Sequence, residues 1–189
     1  MIWTKRIFDI TAAATLLIVL FPLFIFIMLA IKVTSKGSIL YWSYRVGKNN
    51  KLFRMPKFRS MKTNTPQVAT HLLPSPQTYL TPIGGFMRRF SLDELPQLWS
   101  IIWGDLSFVG PRPALFNQND LVAFRTKLNI HQIIPGLTGW AQVNGRDEVP
   151  IPLKVQLDYE YLQRRSLILD IQIIAMTLFK VFRSEGVKH

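Results

Sequence analysis

The 22-residue run from Ile10 to Ile31, ITAAATLLIVLFPLFIFIMLAI, carries no charge, and about 20 apolar residues are enough to cross a hydrocarbon core as a helix. A cleavable leader fits it poorly, because the run is long for such a segment and no small-residue cleavage site follows Ile31. A straight span meets two obstacles. Pro22 sits near the middle, where it removes a helix hydrogen bond and clashes with the preceding turn. Both flanks are also basic, Lys5 and Arg6 before and Lys32 and Lys36 after, so both ends favour the cytoplasmic side. A helix broken at Pro22 that enters and returns on one face satisfies both ends; a straight span remains the alternative. The backbone groups freed at the break need partners, and Thr11 or Thr15 are candidates.

The rest of the chain is unusual in being apolar and basic together. Of 189 residues 49% are hydrophobic, and the formal net charge is +12. Such a balance points to an anionic partner: lipid headgroups, nucleic acid or phosphorylated substrates. No acid lies between Asp9 and Asp93, while that interval holds Lys32, Lys36, Arg45, Lys48, Lys51, Arg54, Lys57, Arg59, Lys62, Arg88 and Arg89. A face resting on anionic membrane lipids accounts for most of these, and Lys57 and Arg59 are read as lipid-facing or structural rather than catalytic. No recognition motif supports nucleic-acid binding. Cysteine is absent and the three histidines, His71, His131 and His189, lack ligand spacing, which argues against disulfides and zinc. The organisation expected is a membrane segment over residues 1–36 followed by a catalytic unit over 37–189, α+β and helix-rich.

Ser38 to Tyr44 reads as a strand and Leu52 to Met61 as a second, with turn residues between them and Pro56 placing the second at an edge or bulge. Together they predict a β-hairpin. Thr63 to Pro82 reads as a loop. Asp93–Trp103, Asn117–Asn129 and Pro152–Arg165 read as helices, and Leu167–Phe182 as a buried or interfacial one. The five tryptophans, Trp3, Trp42, Trp99, Trp103 and Trp140, suit either a headgroup level or the core. Gly104, Gly110, Gly136, Gly139 and Gly145 are consistent with turns.

Asp93 and Glu94 allow two readings. Ser91-Leu92-Asp93-Glu94 matches a capping box, with Ser91 as cap and Glu94 reaching back; alternatively Asp93 is itself the cap. Chemically, adjacent carboxylates can hold Mg²⁺ shared with substrate phosphates, and a carboxylate can attack phosphorus to form an acyl phosphate.

The surrounding blocks are distinctive. Ser91-Leu92-Asp93-Glu94-Leu95-Pro96-Gln97-Leu98 is followed by Gly104-Asp105-Leu106-Ser107-Phe108-Val109-Gly110-Pro111-Arg112-Pro113, and then by Pro135-Gly136-Leu137-Thr138-Gly139-Trp140-Ala141-Gln142-Val143-Asn144-Gly145-Arg146. Lys5-Arg6-Ile7-Phe8-Asp9 and Lys57-Phe58-Arg59-Ser60-Met61 precede them. Over nearly its whole length the chain resembles the bacterial sugar transferases, in particular the small monotopic phosphoglycosyl transferases. The resemblance implies a re-entrant membrane helix, a catalytic part on the cytoplasmic face of the inner membrane, and transfer of a sugar-1-phosphate from a UDP-sugar to undecaprenyl phosphate with release of UMP. It implies Asp93 as nucleophile, Glu94 as the second acid with Mg²⁺ held by the pair, and Arg112 on a substrate phosphate. Arg88 and Arg146 are further candidates for phosphate or nucleotide contacts; Gln142 and Asn144 either face the ligand or bond within a loop. Downstream glycosyltransferases are possible partners. The sugar is not legible, with a weak lean to an N-acetylated, deoxygenated hexosamine over a hexose. Two positions depart from the family pattern: Phe21 stands where Ser commonly precedes the membrane proline, and Val46 where Pro often follows the arginine.

Overall fold

The computed structural model describes residues 2–66, 73–145 and 149–182. Arg146 lies outside the described residues, as do parts of the 63–82 and 147–152 loops. The fold is α+β and helix-rich, with a small sheet.

The apolar run folds as two helices, α1 (Ile2–Val19) and α2 (Phe21–Thr34), bent by 62° at Leu20. Pro22 falls in the first turn of α2, where its missing N–H costs nothing. The Leu20 N–H still donates to the Leu16 carbonyl at 2.9 Å, and the Phe24 N–H to the Leu20 carbonyl at 3.0 Å, so the ladder is interrupted only briefly. Thr11 does not serve the break: its hydroxyl donates to the Ile7 and Phe8 carbonyls, one turn back along its own helix. Among the described residues no single helix is long and apolar enough to cross a membrane, although the bent pair passes that test together. Ile18, Val19, Phe21, Phe26, Leu29 and Val33 are exposed along it.

The first turns of α1 are fastened to the rest of the chain by polar contacts. Lys5 Nζ donates to Asp170 Oδ2 at 2.6 Å. The Arg6 guanidinium donates to the Ile101 and Ile102 carbonyls at 2.5 and 2.7 Å, a cation on the negative end of a helix. Buried Asp9 accepts the Phe108 N–H at 3.2 Å. The two cations that flank the apolar run on its N-terminal side are therefore engaged by protein.

The hairpin expected from the sequence forms. Strands β1 (Leu40–Val46) and β2 (Leu52–Phe58) pair antiparallel, with Leu40 opposite Phe58 and Val46 opposite Leu52. Asn49 and Asn50 in the turn have φ of 55° and 58°, a left-handed conformation that asparagine tolerates. Pro56 lies on β2, an edge strand, where it breaks no ladder. Short helix α3 (Gly84–Arg89) and helix α4 (Gln97–Trp103) follow, and α4 ends on Gly104 at φ 99°, a left-handed C-cap.

A parallel strand pair was not legible in advance: β3 (Ser107–Val109) beside β5 (Gly136–Thr138). Gly110 and Gly136 permit it by close approach, since a Cβ on Gly136 would collide with the Gly110 backbone. They are packing glycines rather than simple turn residues. Between them β4 (Ala114–Leu115) joins the free side of β1, giving the order β2-β1-β4. Helices α5 (Asn119–Lys127), α6 (Trp140–Gly145), α7 (Ile151–Arg164) and α8 (Leu167–Phe182) complete the chain.

The main core joins Ala13 of α1, Met55 of β2, Leu98 and Ile101 of α4, Val109 of β3 and Ile173 of α8. A second cluster sets Ile27 and Ile31 of α2 against Phe58 and Met87. A third holds Ala114, Leu121, Ile130 and Val155. Burying a large aliphatic or aromatic side chain contributes roughly 1.5–3 kcal/mol, so the α1–α2 pair is held to the rest of the chain by packing as well as by the Lys5–Asp170 ion pair. Trp3, Trp42, Trp99 and Trp103 are exposed.

Candidate active site

The capping reading of the acidic pair does not hold. Ser91 has φ 54° and ψ 23°, and its side chain makes no capping bond. A capping serine must be extended for its oxygen to reach the next turn's N–H groups, and a left-handed residue aims it elsewhere. Asp93 does not cap α4 either; that position belongs to Pro96. Leu92–Glu94 is a single 3₁₀ turn closed by backbone bonds from Glu94 N–H to the Ser91 carbonyl and from Leu95 N–H to the Leu92 carbonyl. Both carboxylates are thereby free for other work.

Their surroundings differ. Glu94 Oε1 accepts from Lys57 Nζ at 2.6 Å and from Arg112 Nη2 at 2.9 Å. Burial alone would raise its carboxyl, but Arg112 and Lys57 hold it well below the usual carboxylate range. Asp93 is buried. Burial pushes its carboxyl above the ordinary value and the Glu94 charge adds to that, while Lys57, Arg88 and Arg112 pull it back only in part. Neighbouring carboxyls driven apart in this way mark a division of labour. Glu94 is held ionised by two cations, and Asp93 is a carboxyl whose charged form is poorly solvated.

Each cation comes from a different element. Lys57 lies on β2 between buried Pro56 and Phe58. Its ion pair with Glu94 fits the structural half of the lipid-facing or structural reading. Arg59 is structural as well: its guanidinium donates to the Lys36 and Ser35 carbonyls and to the Ser35 hydroxyl. Arg88 stands in the last turn of α3 and acts on Asp93 through its charge. Arg112 lies between Pro111 and Pro113 after β3.

Gln142 and Asn144 lie on helix α6 rather than in a loop. Asn144 Nδ2 donates to the Trp140 carbonyl of its own helix at 2.9 Å. The Gln142 amide is buried with no partner among the described residues. Neither bonds to the acidic pair. Asp105 is exposed beyond α4, its N–H on the Ser100 carbonyl, and takes no part in the cluster.

Asp93 and Glu94 suit a hard divalent cation. Mg²⁺ takes oxygen ligands, keeps several waters and is commonly bound by one or two carboxylates plus substrate phosphates. Lys57 and Arg112 share Oε1 of Glu94. No group of three or more acidic, histidine or cysteine side chains able to cage a metal occurs among the described residues.

Comparison with known proteins gives the same assignment. The family model for bacterial sugar transferases matches residues 1–184. The chain is 38% identical to the uncharacterised sugar transferase EpsL of Bacillus subtilis (strain 168), over 98% of this chain and 90% of that one. It is 36% identical to the UDP-glucose:undecaprenyl-phosphate glucose-1-phosphate transferase of Escherichia coli (strain K12), covering 94% of this chain and 40% of the larger protein. It is also 36% identical to the undecaprenyl-phosphate galactose phosphotransferase of Salmonella typhimurium (strain LT2), over 96% of this chain and 41% of that protein. A match from end to end, through every block that builds the acidic turn and its cations, makes this chain a member of the bacterial sugar transferase family.

Proposed function

We propose that the protein is a phosphoglycosyl transferase that moves a sugar-1-phosphate from a UDP-sugar to undecaprenyl phosphate. The observation that carries this reading is the buried Asp93 carboxylate beside Glu94, with Lys57, Arg88 and Arg112 around the pair. A diphosphate donor needs cations, and a lipid acceptor needs a site beside an apolar surface.

In the first step an Asp93 oxygen forms a bond to the β-phosphorus of the donor. The bond from that phosphorus to the bridging oxygen breaks, and UMP leaves with the electron pair. The sugar phosphate stays on Asp93 as an acyl phosphate. In the second step a phosphate oxygen of undecaprenyl phosphate attacks the same phosphorus. The bond from that phosphorus to the Asp93 oxygen breaks, the carboxylate leaves with the electron pair, Asp93 is restored, and undecaprenyl diphosphosugar is released. One covalent carrier lets a water-soluble donor and a lipid acceptor use the site in turn. Arg112 and Arg88 neutralise the equatorial oxygens, a task for which a guanidinium fork is well shaped. Glu94 keeps Lys57 and Arg112 in place. Mg²⁺ bound by the acidic pair would supply further charge neutralisation on the diphosphate.

The acceptor reading has its own support. An apolar groove of about 750 Å³, lined by residues that include Ile18, Phe21, Trp42, Phe58, Pro96 and Trp99, reaches from the α1–α2 bend to the start of α4. It ends three residues from Asp93 in sequence and offers an isoprenoid chain an apolar bed. The α1–α2 pair is read as re-entrant in the bacterial inner membrane, with the acidic turn at its cytoplasmic surface and exposed Trp99 and Trp103 at headgroup level. The relatives whose names state a sugar use glucose and galactose, so the proposed donor is a UDP-hexose rather than an N-acetylated hexosamine. The product would enter exopolysaccharide or related glycan assembly, to be extended by separate glycosyltransferases.

The test is UMP release from UDP-glucose, UDP-galactose and UDP-N-acetylhexosamines, with undecaprenyl phosphate and Mg²⁺ present. Intact-mass measurement without acceptor should find a hexose-phosphate adduct that Asp93→Ala lacks. Equal UMP release by wild type and Asp93→Ala would overturn the assignment of the nucleophile.

A further inference from the structure

Arg112 is held through its backbone, and the holding group is a buried ion pair between helices α5 and α7. Pro111, Arg112 and Pro113 form a segment in which two of three residues have no N–H to donate, so its placement depends on its carbonyls. All three are taken by different elements. Gly136 N–H at the start of β5 donates to the Pro111 carbonyl at 3.0 Å. Arg125 Nη1 donates to the Arg112 carbonyl at 2.8 Å. Arg45 Nη1 of β1 donates to the Pro113 carbonyl at 3.3 Å.

The middle contact is the most heavily built. Arg125 sits in the last turn of α5, and its side chain is 9% exposed. Its Nε and Nη2 both donate to Oδ2 of Asp158, at 2.9 and 2.6 Å, leaving Nη1 for the Arg112 carbonyl. Asp158 lies within α7 and is 1% exposed. A buried ion pair gives little net stability over apolar residues of the same volume. Its fork geometry does fix direction, since a guanidinium locked by two donors presents its third at a set angle. The chain of contacts then runs Asp158, Arg125, Arg112 carbonyl, Arg112 guanidinium, Glu94.

We propose that Arg125, oriented by Asp158, is a positioning residue that sets the Arg112 guanidinium over the reacting phosphate. The inference rests on the transferase reading for its role in activity, though the placement of Arg112 on Glu94 is independent of it. A displacement of about 1 Å at a catalytic group can cost on the order of 100-fold in rate.

Two variants test this. Arg125→Met/Asp158→Leu removes the pair while keeping volume and neutrality. Arg125→Lys keeps a charge for Asp158 but replaces the rigid planar fork with a single point donor on a flexible stem, so the Arg112 carbonyl loses its fixed direction. Both should keep a thermal midpoint near that of wild type and lose about 10- to 100-fold in kcat/KM for UMP release. In an Arg112→Ala background the same changes should cost less than twofold further, because the group they aim is gone. A merely structural role would lower activity by the same factor in both backgrounds, and that result, or wild-type kcat/KM in Arg125→Lys, overturns the proposal. If the double variant folds poorly, Arg125→Lys decides alone. Should wild type release no UMP from any donor, the transferase reading fails, and NMR of arginine-labelled protein still judges positioning. The Arg112 guanidinium keeps Glu94 as a partner in every variant, but its rotation should be faster in both variants than in wild type; unchanged restriction sinks the inference.

Discussion

Lys57→Met probes the site where sequence reasoning was weakest. Methionine is close to lysine in length and apolar stem but removes the ammonium. Glu94 Oε1 then loses its 2.6 Å partner and keeps only Arg112 at 2.9 Å. The Lys57 and Glu94 side chains are 16% and 18% exposed, so the contact is largely shielded from water. A hydrogen bond to a charged group contributes about 1.5–3 kcal/mol net. Lost from a group needed only for transition-state placement, that is about 10- to 150-fold in kcat/KM at 1.36 kcal/mol per decade. Steady-state UMP release from UDP-hexose measures it, with thermal unfolding in parallel to show that the fold is intact. Lys57→Arg, which restores the charge, should recover part of the loss. A Lys57→Met enzyme within twofold of wild type, with unchanged thermal midpoint, would refute the claim that Lys57 helps to hold Glu94 for catalysis.

Other expectations follow from the same geometry. Asp93→Asn should be inactive with Mg²⁺ present, yet in metal-free buffer more stable than wild type at neutral pH. The sign follows from the raised carboxyl of Asp93. Its charge is penalised in the fold once pH exceeds the raised value, and the penalty vanishes below the ordinary 3.8, so the gain should disappear in acid; a loss of stability at neutral pH would contradict it. Removing divalent ions with EDTA should abolish UMP release and Mg²⁺ should restore it, whereas activity persisting in EDTA would exclude a metal at the acidic pair. The cysteine-free chain allows single cysteines at Thr4 and Thr34 to be labelled in sealed vesicles. Both should react from the same face in the parent, while Pro22→Ala, which permits one continuous helix, should move one of them to the other face; opposite-face labelling in the parent would mean a straight span.

Local patterns carried the elements well. The alternation in Leu52–Met61 and the turn residues before it announced the hairpin, and the proline in an uncharged run announced the bend, because both signals are set within a few residues. The acidic turn was misjudged where sequence and conformation part company. A serine three residues before a glutamate spells a capping box only if the serine is extended, and Ser91 is left-handed. Lys57 was invisible for another reason. Its partner Glu94 is 37 residues away, and nothing in a basic strand says which cation will meet an acid. The β3–β5 pair escaped because three-residue strands have no period to detect, and Arg125–Asp158 because ion pairs across 33 residues leave no local trace. Arg112 and the acidic pair came from whole-block resemblance, and the geometry that brings them together needed coordinates.

The clasp at the mouth of α1 has a practical corollary. Any truncation that discards the hairpin to make a more tractable enzyme would strip Lys5 from Asp170, Arg6 from the tail of α4, and Asp9 from the backbone of β3. It would also pull Ala13 out of the cluster that Leu98 and Ile101 share. What remained would carry an orphaned acid, bare carbonyls and a hole beneath the helix that follows Glu94. Greasy though it is, this segment is built into the core and is no detachable appendage.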